Sequence, residues 1–143
     1  MLSPADAELL AVAIQARQRA FAPYSGYLVG AAVRGASGTV YTGCNVEVSS
    51  FSLTCCAERV AVFKAISEGE PHITGAAVVT ADEVPGTPCG ACRQVLHEFG
   101  PGITMIMGNT NGAVRQMPIG DLLPHAFGQD WVLPFIRRSH GGG

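Results

Sequence analysis

Residues Ile73 to Thr80, ITGAAVVT, form a nearly unbroken apolar run of strand length. A strand of this composition is buried on both faces, so the fold must supply covering layers on each side of it. The surrounding segments provide them. Ser3-Pro4 followed by Asp6 is a helix start, with Ser3 as cap and Pro4 in the first turn, and helical spacing then continues to about Arg19. Thr54 to Glu68 carries Ala57, Val60, Ala61, Lys64 and Ala65 at helical spacing and stops at Gly69. Gly90 to Phe99 forms a third helix, closed by Gly100-Pro101-Gly102, and Ile119 to Leu123 a short fourth.

Four further strands complete the reading. Tyr27 to Arg34 and Thr39 to Asn45 flank a tight Gly35–Gly38 connection and form a hairpin. Ile103 to Met107 and Val114 to Met117 flank an Asn109–Gly112 turn. The expected class is α/β: three layers, α-β-α, around a mixed five-stranded sheet. Residues 1–136 make one domain, and 137–143, ending in three glycines, read as a flexible tail.

The five cysteines are an odd number, which disfavours a closed disulfide framework and leaves metal or redox chemistry. Two segments concentrate them, Thr54-Cys55-Cys56-Ala57-Glu58-Arg59 and Pro88-Cys89-Gly90-Ala91-Cys92-Arg93. Both lie at the start of an expected helix, where unpaired N–H groups and the positive end of the dipole favour a thiolate. Cys89 and Cys92 form a C-x-x-C pair, and Cys56, 33 residues upstream, supplies a third sulfur. Three protein ligands leave one tetrahedral position of Zn²⁺ open, as a catalytic site requires. Glu58 stands two residues past Cys56 and can enter the site without ligating. Cys-x-Glu followed by Pro-Cys-x-x-Cys is the pattern of zinc-dependent deaminases. Cys44 and Cys55 read as small buried hydrophobes, and His72, His97, His125 and His140 as loop or surface residues.

The remaining motifs cover nearly the whole chain: Pro23-Tyr24-Ser25, Val29-Gly30-Ala31-Ala32, Gly43-Cys44-Asn45-Val46-Glu47 and Leu122-Leu123-Pro124 to Phe127-Gly128. With the cysteine segments, this set resembles the small, single-domain, homotetrameric cytidine deaminases. The resemblance implies a cytidine deaminase-like fold, one zinc ion per subunit held by Cys56, Cys89 and Cys92, and Glu58 as the proton carrier. It assigns Asn45 and Glu47 to the ribose hydroxyls and Ala57 to the substrate, and Tyr27 stands where relatives usually pack a Phe against the base. Phe127, from a neighbouring subunit, would cover the pyrimidine, and Phe51 stands where relatives send a Tyr towards a neighbour's pocket. Three thiolates on a dication leave a charge of −1, which Arg59 would offset, with Arg93 as a second source.

Two positions depart from the family pattern, Val48 for a polar Asn and Phe51 for that Tyr. They point to broadened tolerance for modified cytosine nucleosides beside cytidine and deoxycytidine. An antibiotic-nucleoside deaminase of the blasticidin type is the alternative substrate reading, and a thiol redox or zinc-binding protein a remote one.

Charge and composition narrow the partners. A net charge of −2 offers no basic surplus for polynucleotide phosphates, so nucleic acid is not expected. No run approaches a membrane span, and Met1 to Asp6 lacks the basic and apolar parts of a signal peptide, so a cytoplasmic enzyme is expected. The charged fraction, 14%, is low for a monomer's surface, where about 25% is usual, and fits a homo-oligomer. Trp131 and Phe135 read as packing residues of such an interface.

Overall fold

A computed structural model describes residues 1–140, and the side chains of 1–137. The expectations for the His140 side chain and for Gly141 to Gly143 lie outside the described residues. Five strands form one sheet in the order β2-β1-β3-β4-β5. They are β1 (Gly30–Gly35), β2 (Val40–Cys44), β3 (Ile73–Thr80), β4 (Thr104–Asn109) and β5 (Val114–Pro118). The β3–β4 pair is parallel and the other pairs are antiparallel, so the sheet is mixed as expected. The all-apolar segment is the central strand, buried along its length except at Thr74.

Alternation along the strands sends side chains to two cores. On one face α1 (Pro4–Arg17) packs Leu9 and Ala13 against Ala32, Ala77, Val79 and Ile106. On the other, α2 (Ala57–Ser67), α3 (Gly90–Phe99) and α4 (Ile119–Leu122) cover Ala31, Val33, Ala76, Val78, Met105 and Met107. The Ser3 hydroxyl accepts from the Asp6 N–H at 3.1 Å, the cap expected from the sequence.

Three differences from the expected elements exceed two residues, each for a visible reason. β1 begins at Gly30 and not at Tyr27, because the side chain of Asn45 takes over the pairing of the preceding residues. Its Oδ1 accepts from the Val29 N–H at 2.9 Å and its Nδ2 donates to the Tyr27 carbonyl at 2.7 Å. The second helix begins at Ala57 and not at Thr54. Cys55 is held in an antiparallel bridge with Val46, each N–H reaching the other's carbonyl at 3.0 Å, and Phe51–Leu53 forms a separate 3-10 turn. Finally, α5 (Gln129–His140) lies beyond the fourth helix, where the sequence predicts no further element, and it carries helix into 137–140 of the expected flexible tail, with Pro134 inside it.

Gly43 on β2 sets the height of α2 above the sheet. A Cβ there would stand 2.2 Å from the Ala57 carbonyl oxygen and 2.6 Å from the Ala61 nitrogen. Only a residue without a side chain lets the first turn of α2 settle on the strand, and that turn carries Cys56, Ala57 and Glu58.

Candidate active site

The N-termini of α2 and α3 converge beside the carboxyl end of β3, the usual place for a site in an α/β sheet. Cys56 is the N-cap of α2 and Cys89 the N-cap of α3, both in extended backbone conformation. Neither side chain caps its own helix, which leaves both sulfurs free to face each other. Their Sγ atoms are 3.8 Å apart, and Cys92, fully buried in the first turn of α3, completes a group whose sulfurs all lie within 4.8 Å of one another. An ion bound tetrahedrally at about 2.3 Å from each sulfur holds the sulfurs about 3.8 Å apart. The three side chains therefore fit Zn²⁺, with a fourth tetrahedral position left for another ligand.

The electrostatics suit thiolate ligation. Arg59 Nη2 donates to Cys56 Sγ at 3.3 Å. A hydrogen bond from Cys92, then those of Arg59 and Cys89, outweigh burial and hold the Cys56 thiol well below its ordinary pKa. Cys92 moves the opposite way, as donor to Cys56 and through its own burial. The Cys56 sulfur in turn keeps the Arg59 guanidinium firmly protonated. Glu58 is only 5% exposed, and burial followed by the charge of Cys56 pushes its carboxyl above the ordinary value. A carboxyl so placed readily takes and returns a proton.

Cys56, Ala57, Glu58 and Cys89 line a cavity of about 300 Å³. Tyr27, Asn45, Glu47, Ser25, Val78 and Thr80 line it with them. A larger hollow of about 620 Å³ lies at the other end of β3, beside His72, Ile73 and Phe99, far from the sulfurs. We take the smaller cavity as the site because it holds the metal-ligating and proton-carrying groups together.

Seven of the residues expected at the site thus share one wall system: Tyr27, Asn45, Glu47, Cys56, Ala57, Glu58 and Cys89. The two expected to meet the sugar already have partners within the chain. The Asn45 amide is tied to the backbone at Tyr27 and Val29. Glu47 accepts from the N–H groups of Tyr24 and Ser25 at 3.0 and 3.1 Å and from the Ser25 hydroxyl, and those bonds, the Ser25 hydroxyl first, lower its pKa. Phe51 and Phe127 stand apart from this cavity within one chain. Phe51 is 71% exposed and meets Tyr24 edge to face, and Phe127 is 62% exposed beside α5.

Arg93 does not turn towards the sulfurs. Its three donors reach the Pro88 carbonyl at 2.7 Å, the Leu122 carbonyl at 2.8 Å and the Thr87 hydroxyl at 3.0 Å, so it braces the loop that delivers Cys89. Sequence reasoning missed Ser25, Thr80 and Thr87 in the cavity wall. Ser25 sits in a quoted motif, but nothing in local spacing marks the two threonines.

Comparison with known proteins gives a consistent result. The family described as "Cytidine and deoxycytidylate deaminase zinc-binding region" matches residues 3–108. A cytidine deaminase of Halalkalibacterium halodurans is 47% identical over 120 residues, 83% of this chain and 91% of that protein. One from Sporosarcina psychrophila is 44% identical over 124 residues, 86% of this chain and 91% of that protein. The crystal structure of cytidine deaminase from Burkholderia pseudomallei superposes with a TM-score of 0.83 at 43% identity, covering 88% of this chain and 100% of that one.

Proposed function

The chain belongs to the cytidine and deoxycytidylate deaminase family, and on that premise we propose that it hydrolyses cytidine and deoxycytidine to uridine and deoxyuridine with release of ammonia. This is a reaction of pyrimidine salvage. The observation that carries the reading is the convergence of three cysteine sulfurs within 4.8 Å on a cavity that also holds the buried Glu58.

Cys56, Cys89 and Cys92 would hold one zinc ion per subunit. When bound, zinc supplies a Lewis acid that brings water's pKa from about 15.7 towards about 7. The chain's residues do the rest. Glu58 takes one proton from the attacking water and gives it to N3 as the oxygen bonds to C4. It then carries the second proton to the amino group, the C4–N4 bond breaks, and ammonia leaves. Arg59 offsets the negative charge of the thiolates. Tyr27 and Ala57 border the base, and Asn45 and Glu47 face the sugar. Because Asn45 and Glu47 are held by backbone partners, their geometry is set before substrate arrives.

We take residues 1–136 as one catalytic domain that works as a homotetramer, with Phe51 and Phe127 reaching a neighbour's cavity. In support, Leu53, Phe51, Phe127 and Trp131 are all at least 62% exposed in the single chain. Large apolar side chains so exposed favour burial between copies. No helix among the described residues is long and apolar enough to cross a membrane.

The deciding experiment follows absorbance on cytidine, deoxycytidine, free cytosine and 4-substituted cytosine nucleosides, with metal content measured on the same preparation. Turnover of the two nucleosides by protein with about one zinc per chain is expected. A zinc-free preparation at full activity, or no turnover of any cytosine nucleoside by zinc-loaded protein, overturns the reading.

A further inference from the structure

The loop between β3 and α3 crosses from Thr80, in the cavity wall, to Cys89. Within it the Asp82 carboxylate accepts a hydrogen bond from the hydroxyl of Tyr27. Tyr27 lines the cavity and belongs to the segment before β1, so this bond ties that segment to the β3–α3 loop. Its backbone is fixed independently, the N–H donating to the Ser25 hydroxyl at 3.0 Å and the carbonyl accepting from Asn45 at 2.7 Å. The ring, 44% exposed, is secured at its far end by Asp82.

Asp82 is itself held in place. Asn109, only 3% exposed at the end of β4, donates to the carbonyls of Asp82 and Glu83 at 3.1 and 2.9 Å. The Gly86 N–H donates to the Thr80 hydroxyl at 3.2 Å. The loop returns so closely that a Cβ at Gly86 would stand 3.0 Å from Thr80 Cγ2 and 3.4 Å from the Asp82 carboxylate. The backbone of Asp82 is thus braced, and its exposed carboxylate is held over Tyr27 as a charged acceptor, to which a hydrogen bond is worth more than to a neutral one.

We propose that Asp82 is a positioning residue for substrate binding: by holding the Tyr27 hydroxyl it fixes the Tyr27 ring as a wall of the nucleoside cavity. The inference rests on the cavity being the nucleoside site. Asp82 acts on affinity through Tyr27 and touches neither the sulfurs nor Glu58 in the reaction.

The test is a double-mutant cycle on the zinc-loaded enzyme, with Asp82→Ala, Tyr27→Phe and the pair, read by cytidine kinetics and by calorimetric titration of uridine. Each single substitution is expected to raise KM and the uridine Kd by about three- to tenfold, with the larger part of the effect on KM and not on kcat. The double variant should be no worse than either single one, and Asp82→Asn, which keeps an acceptor, should recover part of the loss. Additive effects in the cycle overturn the proposal, as does an Asp82→Ala effect confined to kcat and zinc content. An inactive parent would instead overturn the functional reading, and the uridine titrations would still decide whether Asp82 and Tyr27 act as one.

Discussion

Arg59 Nη2 lies 3.3 Å from the sulfur of Cys56, three residues back on the same helical turn. A cation at that distance is the nearest compensation for three thiolates on one dication. Replacing it with Arg59→Gln removes a full charge at a few ångströms, an effect on the order of 1 to 3 kcal/mol at a partly screened site. We expect kcat to fall by roughly 10- to 100-fold while zinc stays near one per chain. Arg59→Lys should recover part of the rate. Parental kcat in zinc-replete Arg59→Gln would exclude a charge-offset role.

Glu58 is buried beside the sulfurs and does not belong to the three-sulfur group. The nearly isosteric Glu58→Gln keeps the volume and removes only the proton carrier. Zinc content and melting temperature should remain close to the parent, while turnover of cytidine drops by about 10² to 10⁴. A variant that retains zinc and deaminates at near parental rate would take the proton-carrying role away from Glu58.

Gly43 predicts the sharpest structural failure. The added methyl of Gly43→Ala meets backbone oxygen at 2.2 Å, and backbone cannot rotate aside as a side chain can. The first turn of α2 must lift, at a cost of about 1 to 3 kcal/mol or more. For a chain of this size that lowers the melting temperature by several degrees. Since the same turn carries Cys56 and Glu58, zinc affinity and activity should fall with it. Thermal melts and metal analysis check both, and an unchanged Tm with full zinc would contradict the close approach.

How much of this was legible beforehand follows from the range over which each feature is determined. Cys56, Glu58, Cys89 and Cys92 sit at fixed offsets within two helical first turns, so spacing alone brings each pair into reach. The central strand Ile73–Thr80 was equally plain, because burial on both faces leaves an all-apolar run. Asp82, Thr80 and Asn109 were not legible. Asp82 meets Tyr27 across 55 residues and Asn109 across 27, and these contacts depend on how a loop returns over the sheet. Arg93 adjoins a cysteine, yet its direction is set by the carbonyls of Pro88 and Leu122. Helix α5 was hidden by Pro134, an interior residue that normally argues against a helix.

Asn45 separates a substrate contact from a framework role. Asn45→Asp keeps the acceptor for the Val29 N–H and replaces the donor to the Tyr27 carbonyl with an oxygen. At 7% exposure, two oxygens facing each other cost about 1 to 3 kcal/mol. Both the denaturant midpoint and the affinity for uridine should fall. A variant weakened in uridine binding alone, with full stability, would assign Asn45 to the sugar and not to the framework.

Glu70 supplies a pH prediction away from the site. Its carboxylate, 6% exposed, accepts from the Ser37 N–H at 2.9 Å, the Ser37 hydroxyl at 2.6 Å and the Tyr41 hydroxyl at 3.1 Å, tying the β1–β2 hairpin to the end of α2. The Ser37 bonds hold its pKa below the ordinary 4.5. A carboxyl whose folded pKa is depressed stabilises the fold fully above its unfolded value, and that contribution disappears as pH falls through the folded one. The parent's urea midpoint should therefore drop on acidification below about pH 4.5. Glu70→Gln, which offers one acceptor oxygen in place of two, should start lower near neutral pH and show a shallower acid limb. The gap between the two proteins then narrows as pH falls. Parallel curves down to the acid limit would mean that Glu70 does not carry this part of the acid sensitivity.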